Sequence, residues 1–270
     1  MQKFIVVTLL HHLKLSAGRM FRQVQSMRNY KLLSVFSNVF IAATFILSLE
    51  SFAAVNVDKT RLIFNSSDMT QTINLYNNSS SPAVVQLWTD DQDINVSPDE
   101  SKTPVIVLPP VLKILPNEKR SLRVILTTRK ELTSDRESLY WLNIYQIPSI
   151  IKSKDRDMNK IFFPLRLRLK VFVRPAHLGS PSFDDMQKLK FLKRGAELRV
   201  VNPTAWYASL NVSIPGFKKI NKIMIAPLAE ASIQTEREIT EDKINYEVIG
   251  DSGFSVMHTT KITSLYDSLK

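Results

Sequence analysis

From residue 55 onward the apolar residues come in short runs separated by turn formers, without the three-to-four-residue spacing of an amphipathic helix. The runs 55–64, 70–77, 83–90, 105–107, 111–114, 121–127, 139–146 and 161–173 are rich in β-branched and aromatic residues. Asn65-Ser66-Ser67-Asp68, the stretch from Asn77 to Pro82, Pro98-Asp99 and Pro116-Asn117 punctuate them. Such spacing predicts an all-β sandwich. A second, shorter set follows at 189–192, 197–202, 209–213, 222–225, 232–234, 246–249 and 256–262. The stretch 176–182 (AHLGSPS) is the natural boundary, so the pattern predicts two sandwiches, 54–175 and 176–270, with no internal repeat.

The stretch from Ile161 to Arg174 carries the most information. Ile161, Phe163, Leu165, Leu167, Leu169, Val171 and Val173 alternate with Phe162, Pro164, Arg166, Arg168, Lys170, Phe172 and Arg174. With a side-chain period of two, this is a strand with one apolar and one largely cationic face. Pro164 cannot donate to a ladder and predicts a sheet edge there. Leu167 to Val173 are expected in the core. Ile161, Phe163 and Leu165 follow the polar loop 152–160, and an apolar edge of this kind suits the addition of a strand from another chain.

The amino end has a different pattern. Leu32 to Leu49 is 18 residues without a charge, preceded by Arg28 and Lys31 and followed by Ser51-Phe52-Ala53. This is the order of a secretory signal, and it predicts that residues 1–53 are removed, with translation starting at Met1 or Met27. An uncleaved anchor is the alternative.

Charge and composition then narrow the chemistry. Of the net +11, residues 1–53 hold +5, leaving a mildly basic remainder and no expected nucleic-acid partner. The chain has no Cys, which excludes disulfides, thiolate metal sites and cysteine nucleophiles. Its 6 glycines form neither a dinucleotide fingerprint nor a P-loop, and G-x-S-x-G does not occur. His11 and His12 sit in the leader, and His177 and His258 stand alone, so no catalytic or metal constellation is expected and no cofactor. Asp90-Asp91 and Asp184-Asp185 read as hydrated turns, and Trp88, Trp141 and Trp206 as core.

The residues also resemble a family. Lys59-Thr60-Arg61-Leu62-Ile63-Phe64, Thr72-Ile73-Asn74-Leu75-Tyr76-Asn77-Asn78, Val84-Val85-Gln86-Leu87-Trp88, Leu108-Pro109-Pro110 and Leu122-Arg123-Val124-Ile125 occur in order. So do Asp135-Arg136-Glu137-Ser138-Leu139-Tyr140-Trp141, Leu167 through Pro175, Asn202-Pro203-Thr204 and Ile249-Gly250-Asp251-Ser252-Gly253. Together they resemble the periplasmic pilus-assembly (fimbrial) chaperones, PapD-like proteins of two immunoglobulin-like domains set at an angle. The short polar loop 148–160, without a Cys pair, is similar to the short-loop branch.

The resemblance implies a non-enzymatic chaperone of the periplasm. It would lend an edge strand to a pilin subunit and deliver it to an outer-membrane usher, with no stable membrane insertion after signal cleavage; self-association of the free protein is left open. It implies that Arg61 and Lys170 grip the pilin's C-terminal carboxylate and that Ile161, Phe163 and Leu165 fill the pilin groove. It also implies that Glu137, Arg174 and Asp251 form an ion network holding the two domains. A structural or adhesive surface protein with the same sandwiches is the alternative function.

Overall fold

Alternation along the chain is resolved into sixteen strands in a computed structural model that describes residues 55–130, 132–148 and 164–265. Strand β1 (Val55–Val57) and strand β2 (Arg61–Phe64) come from the single run expected over 55–64. The break falls at the exposed residues Asp58, Lys59 and Thr60, where the Asp58 carboxylate accepts from the Asn74 backbone N–H at 2.9 Å. Before the break Val55 points inward; after it Leu62 and Phe64 do, so the chain leaves one sheet and enters the facing one.

Strands β3 (Thr70–Asn77), β7 (Lys119–Leu126) and β5 (Val105–Leu108) complete the first sheet in the order β1-β3-β7-β5. The second sheet runs β2-β9-β8-β4-β6, from β9 (Leu165–Val173), β8 (Ser138–Pro148), β4 (Ala83–Asp90) and β6 (Val111–Ile114). Between them Phe64, Ile73, Leu75, Val85, Leu122 and Ile144 are fully buried. The Leu108–Pro109 bond leading from β5 to β6 is cis.

Seven further strands build the second sandwich. They are β10 (Lys190–Arg194), β11 (Glu197–Asn202), β12 (Ala208–Ser213), β13 (Ile220–Ile225), β14 (Ala229–Gln234), β15 (Lys243–Ile249) and β16 (Ser255–Ser264). Strand β16 pairs antiparallel with β15 over Ser255 to Lys261, then parallel with β10 over Ile262 to Ser264. One long strand thereby serves both layers around a separate core that includes Phe191, Leu198, Leu210 and Tyr246. A short helix, α1 (Phe183–Gln187), precedes β10 and was not expected from the apolar pattern. A capping box starts it, with the Asp185 N–H donating to Ser182 Oγ at 3.1 Å and the Ser182 N–H to Asp185 Oδ2 at 2.9 Å.

Three sequence expectations are corrected here. Trp88 and Trp141 are half-buried on the outer face of the β9-β8-β4 sheet, and Trp206 lies in a loop, so none of the three is core. Asp90 is fully buried rather than a hydrated turn residue, because arginines of β9 cover it. Phe172, assigned by parity to the charged face, is buried because the second sandwich covers that end of the face: its ring lies 5.9 Å from that of Tyr207. Ile161 and Phe163, and the segment 1–53, lie outside the described residues.

The sandwiches also share a polar clasp that the sequence did not announce. Asn77, fully buried at the end of β3, donates through Nδ2 to the carbonyls of Ser81 (2.9 Å), Ile114 (3.1 Å) and Leu115 (3.1 Å). Its Oδ1 accepts from the N–H and hydroxyl of Ser79 at 3.1 and 2.7 Å. Asn202, at the end of β11, repeats this: Nδ2 donates to Trp206 O (2.7 Å) and Ala226 O (3.0 Å), and Oδ1 accepts from the N–H and hydroxyl of Thr204. Each asparagine satisfies carbonyls that a buried loop would otherwise leave unpaired. Asn77→Ala and Asn202→Ala are therefore expected to lower stability by similar amounts, about 2–3 kcal/mol each. Chemical denaturation measures this, and a variant as stable as the parent would show that its clasp contributes nothing.

Candidate functional site

The parallel pairing of β2 with β9 sets Arg61 opposite Lys170. Register partners share a face, and since Leu62 and Val171 are buried in the sandwich, Arg61 and Lys170 both point outward. There they meet the second sandwich. Lys170 Nζ donates to Ser209 Oγ at 2.9 Å, and Arg61 Nη1 to the Ile249 carbonyl at 3.2 Å. Burial pushes the Lys170 ammonium down to about 8, and the neighbouring Arg61 charge adds to the shift. Burial also lowers the Arg61 guanidinium, against the opposing pull of Asp251 and Glu137. Arg61 Nε is buried with no hydrogen-bond partner among the described residues. Two cations are thus held side by side, partly dehydrated, with donors exceeding the acceptors offered to them.

The pair stands where the pairing of β9 with β2 begins. Strand β8 covers one side of β9 along its whole length, but β2 covers the other side only from Lys170 to Val173. Among the described residues no strand pairs with that side of Leu165 to Leu169. Along this stretch Leu165 is 47% exposed and Leu169 is buried, so the apolar face emerges from the core as it approaches Pro164.

The elbow between the sandwiches is made by a buried cation. Arg174, only 2% exposed, donates from Nε to Glu137 Oε1 at 2.8 Å and from Nη1 and Nη2 to the two oxygens of Asp251 at 2.8 and 2.7 Å. Nη1 also reaches Asn65 Oδ1 and Ser180 Oγ. Glu137 Oε2 accepts from the Tyr207 N–H at 2.9 Å, and the Glu137 N–H donates to Ala205 O at 2.9 Å, so one residue of the first sandwich binds the second through side chain and backbone. Burial raises the Glu137 carboxyl, only partly opposed by Arg174. Burial also works to raise Asp251, but Arg174's hydrogen bonds and charge outweigh it and hold that carboxyl below its usual range. Gly253 has φ of 86°, and a Cβ there would stand 2.7 Å from Thr60 Oγ1, so only glycine lets this loop seat beside Arg61.

The structure thus brings Arg61 to Lys170, and Glu137 and Asp251 to Arg174; Leu165 lies on the free edge next to Lys170, and Ile161 and Phe163 fall outside the described residues. Sequence reasoning missed Ser209, which holds Lys170 from the other sandwich. It also missed Arg129, whose guanidinium donates to the carbonyls of Arg174 (2.7 Å), Asn65 (2.9 Å) and Asp68 (2.7 Å). Isolated polar residues in ordinary strand and loop contexts gave no signal for either. Among the described residues no cluster of His, Asp or Glu could hold a metal ion, and no helix is long and apolar enough to cross a membrane.

Comparisons with known proteins agree with this architecture. Residues 54–179 match the family "Pili and flagellar-assembly chaperone, PapD N-terminal domain", and residues 184–260 match "Pili assembly chaperone PapD, C-terminal domain". Chaperone protein LpfB of Salmonella typhimurium is 34% identical over 215 residues, covering 77% of this chain and 89% of the relative. The crystal structure of the Pseudomonas aeruginosa CupB2 chaperone is 31% identical, with a TM-score of 0.63 over 77% of this chain and 100% of that one. The SafA pilin–SafB chaperone complex of Salmonella enterica shares the fold, with a TM-score of 0.66 at 24% identity over 79% of this chain and 97% of that one.

Removing Arg174 would leave Glu137 buried without its counter-charge. Arg174→Ala is expected to cost about 3–5 kcal/mol, whereas Arg174→Met combined with Glu137→Gln recovers most of that loss. Equilibrium denaturation of the three proteins checks this; equal losses in the single and double variants would overturn it.

Proposed function

This chain belongs to the family of PapD-like pili-assembly chaperones, and on that premise we propose that it acts in the periplasm as the carrier of pilin subunits. It holds each subunit by adding the free edge of β9 to it, anchors the subunit's C-terminal carboxylate on Arg61 and Lys170, and hands it to an outer-membrane usher. The observation that carries this reading is the position of Arg61 and Lys170, side by side with one neutral acceptor each, where β2 begins and, among the described residues, the preceding stretch of β9 has no partner strand on that side.

The energetics support the assignment. A carboxylate offers the acceptors that Arg61 and Lys170 lack, and each charge-assisted bond contributes about 1.5–3 kcal/mol. It would also offset the Arg61 repulsion that adds to the effect of burial on Lys170. Leu165, with Ile161 and Phe163 before it in the sequence, would add about 1.5–3 kcal/mol for each side chain fully buried in the partner. Backbone bonds along the edge hold the partner with little sequence demand, while the apolar pockets fix register. The Glu137–Arg174–Asp251 network acts as the brace that keeps Ser209 and Ile249 at the cation pair. Neither a cofactor nor a metal enters this scheme.

Co-expression with a pilin subunit is expected to give a soluble one-to-one complex. Lys170→Asp and Arg61→Asp each weaken it by about 2–5 kcal/mol, the usual cost of disrupting a buried hydrogen-bonded charge pair. Complex formation by both variants at parental affinity would overturn the assigned anchor.

Affinity should also depend on pH, and the sign is fixed by Lys170. The carboxylate needs the ammonium, and free Lys170 loses half its charge at about pH 8. Affinity is therefore highest below pH 8 and falls as pH rises above it, with proton uptake on binding. Titration calorimetry in buffers of different ionisation enthalpy reads this directly, and an affinity flat from pH 7 to 9.5 would contradict it.

A further inference from the structure

We propose that Arg166 and Arg168, the next two residues on the outward face of β9, form a second recognition site that selects partner strands carrying carboxylates on alternate positions just before their C-terminus. The inference rests on the reading above, in which a partner strand joins the β9 edge.

Arg166 and Arg168 share the face of Lys170, two residues apart along the strand, opposite Tyr145 and Asn143 of β8. Each guanidinium lies over an indole, Arg166 over Trp88 and Arg168 over Trp141, both at 4.7 Å from the ring centroid. These contacts, with Arg166 Nε donating to Asn143 Oδ1 at 2.9 Å and Nη1 to Ile94 O at 2.6 Å, hold the groups in fixed orientations.

The acceptors do not match the charge. Asp90, fully buried, accepts from Arg168 Nη2 at 2.6 Å and from Asn143 Nδ2 at 2.7 Å. Its other approach, to Arg166 Nη2, is 3.7 Å, too long for a hydrogen bond. One carboxylate therefore serves two guanidiniums, and Arg166 Nη2 and Arg168 Nε are buried without a hydrogen-bond partner among the described residues. Burial and the Arg168 charge both depress Arg166, as expected for cations sharing too little counter-charge.

Edge geometry says where the missing acceptors would come from. A strand whose carboxylate ends at Arg61 and Lys170 lies along Leu165 to Leu169 and runs parallel to β9, in line with β2. Neighbouring strands lie about 4.8 Å apart, and register partners share a face. Partner residues level with Leu165 and Leu167 then project to the apolar side. Those level with Arg166 and Arg168 project beside the guanidiniums, within reach of an Asp or Glu side chain.

Short synthetic peptides with a free C-terminal carboxylate test this on the full-length protein. They carry Asp, Asn or Lys at the two positions level with Arg166 and Arg168, and binding is read by calorimetry at two salt concentrations. Each Asp→Asn change is expected to weaken binding roughly tenfold. Lys weakens it further, and the Asp peptide shows the steepest salt dependence. Substituting the peptide leaves the protein's fold untouched. Arg166→Gln, which spares the Arg168–Asp90 bond, should shrink the Asp preference. Equal binding of Asp and Asn peptides, with a C-terminal amide peptide failing to bind, would sink this selection and leave the carboxylate anchor standing. Equal binding of acid and amide peptides, or none by any, would sink the underlying reading instead.

Discussion

The register of β2 against β9 governs everything the site can do. Because pairing starts at Arg61↔Lys170 and covers only four residues, it creates two features at one point. A pair of like charges is pressed together on the outward face, and among the described residues the backbone ahead of Lys170 on β9 has no second neighbouring strand. Sliding β2 by one residue would turn Arg61 toward the core, since side chains alternate faces along a strand. Extending β2 toward Leu165 would seal the edge. The break at Asp58–Thr60, which carries the chain from one sheet to the other, fixes where β2 can begin and so where the edge ends.

Much of this was legible in the sequence. The turn-separated runs gave both sandwiches, and the alternation from Ile161 to Arg174 identified the long two-faced strand and its cations. Even the break inside 55–64 left a trace: the inward apolar positions are odd at Val55 and Val57 but even at Leu62 and Phe64, a phase slip that needs a break or a β-bulge. What could not be read were the facts that depend on what lies across from a residue. Asp90 looks like a turn aspartate until β9 lays two arginines over it. Phe172 sits at a charged-face position and is buried only because the second sandwich covers it. Ser209 gains a role from meeting Lys170 across the elbow. The matching asparagine clasps were invisible as a repeat because they share one residue type and a spacing, within loops of unlike composition.

The two kinds of buried cation here differ in acceptor supply, and that difference separates scaffold from receptor. Arg174 is saturated: two carboxylates, an amide oxygen and a hydroxyl surround it, and neighbouring backbone groups lock the carboxylates in turn. Such an arrangement fixes orientation, at a desolvation cost that only complete hydrogen bonding offsets. Arg61 and Lys170 are the reverse case, with one neutral acceptor each and a like charge as neighbour. Asp251 and Glu137 attract Arg61, but among the described residues no carboxylate forms an ion pair with Arg61 or Lys170. Local violations of that sort are expected where a partner supplies what the fold withholds.

An orphaned nitrogen is not by itself the mark of a receptor, and the comparison within this molecule shows why. Arg129 and Arg199 also have a buried Nε without a partner among the described residues. Yet the Nη groups of Arg129 donate to three carbonyls, and those of Arg199 lie 3.2 and 3.6 Å from the carboxylates of Glu230 and Glu197. Carboxylates answer the charge of Arg199, and three carbonyls take up the Nη donors of Arg129, even though one donor of each is not met. Along β9 the buried Asp90 is the one carboxylate facing two guanidiniums, bonded to Arg168 but 3.7 Å from Arg166, Lys170 has a neutral acceptor, and the far side of the strand has no partner strand ahead of Lys170 among the described residues. Those conditions together, absent at Arg129 and Arg199, are the ground on which the outward face of β9 is proposed to receive an acidic chain end.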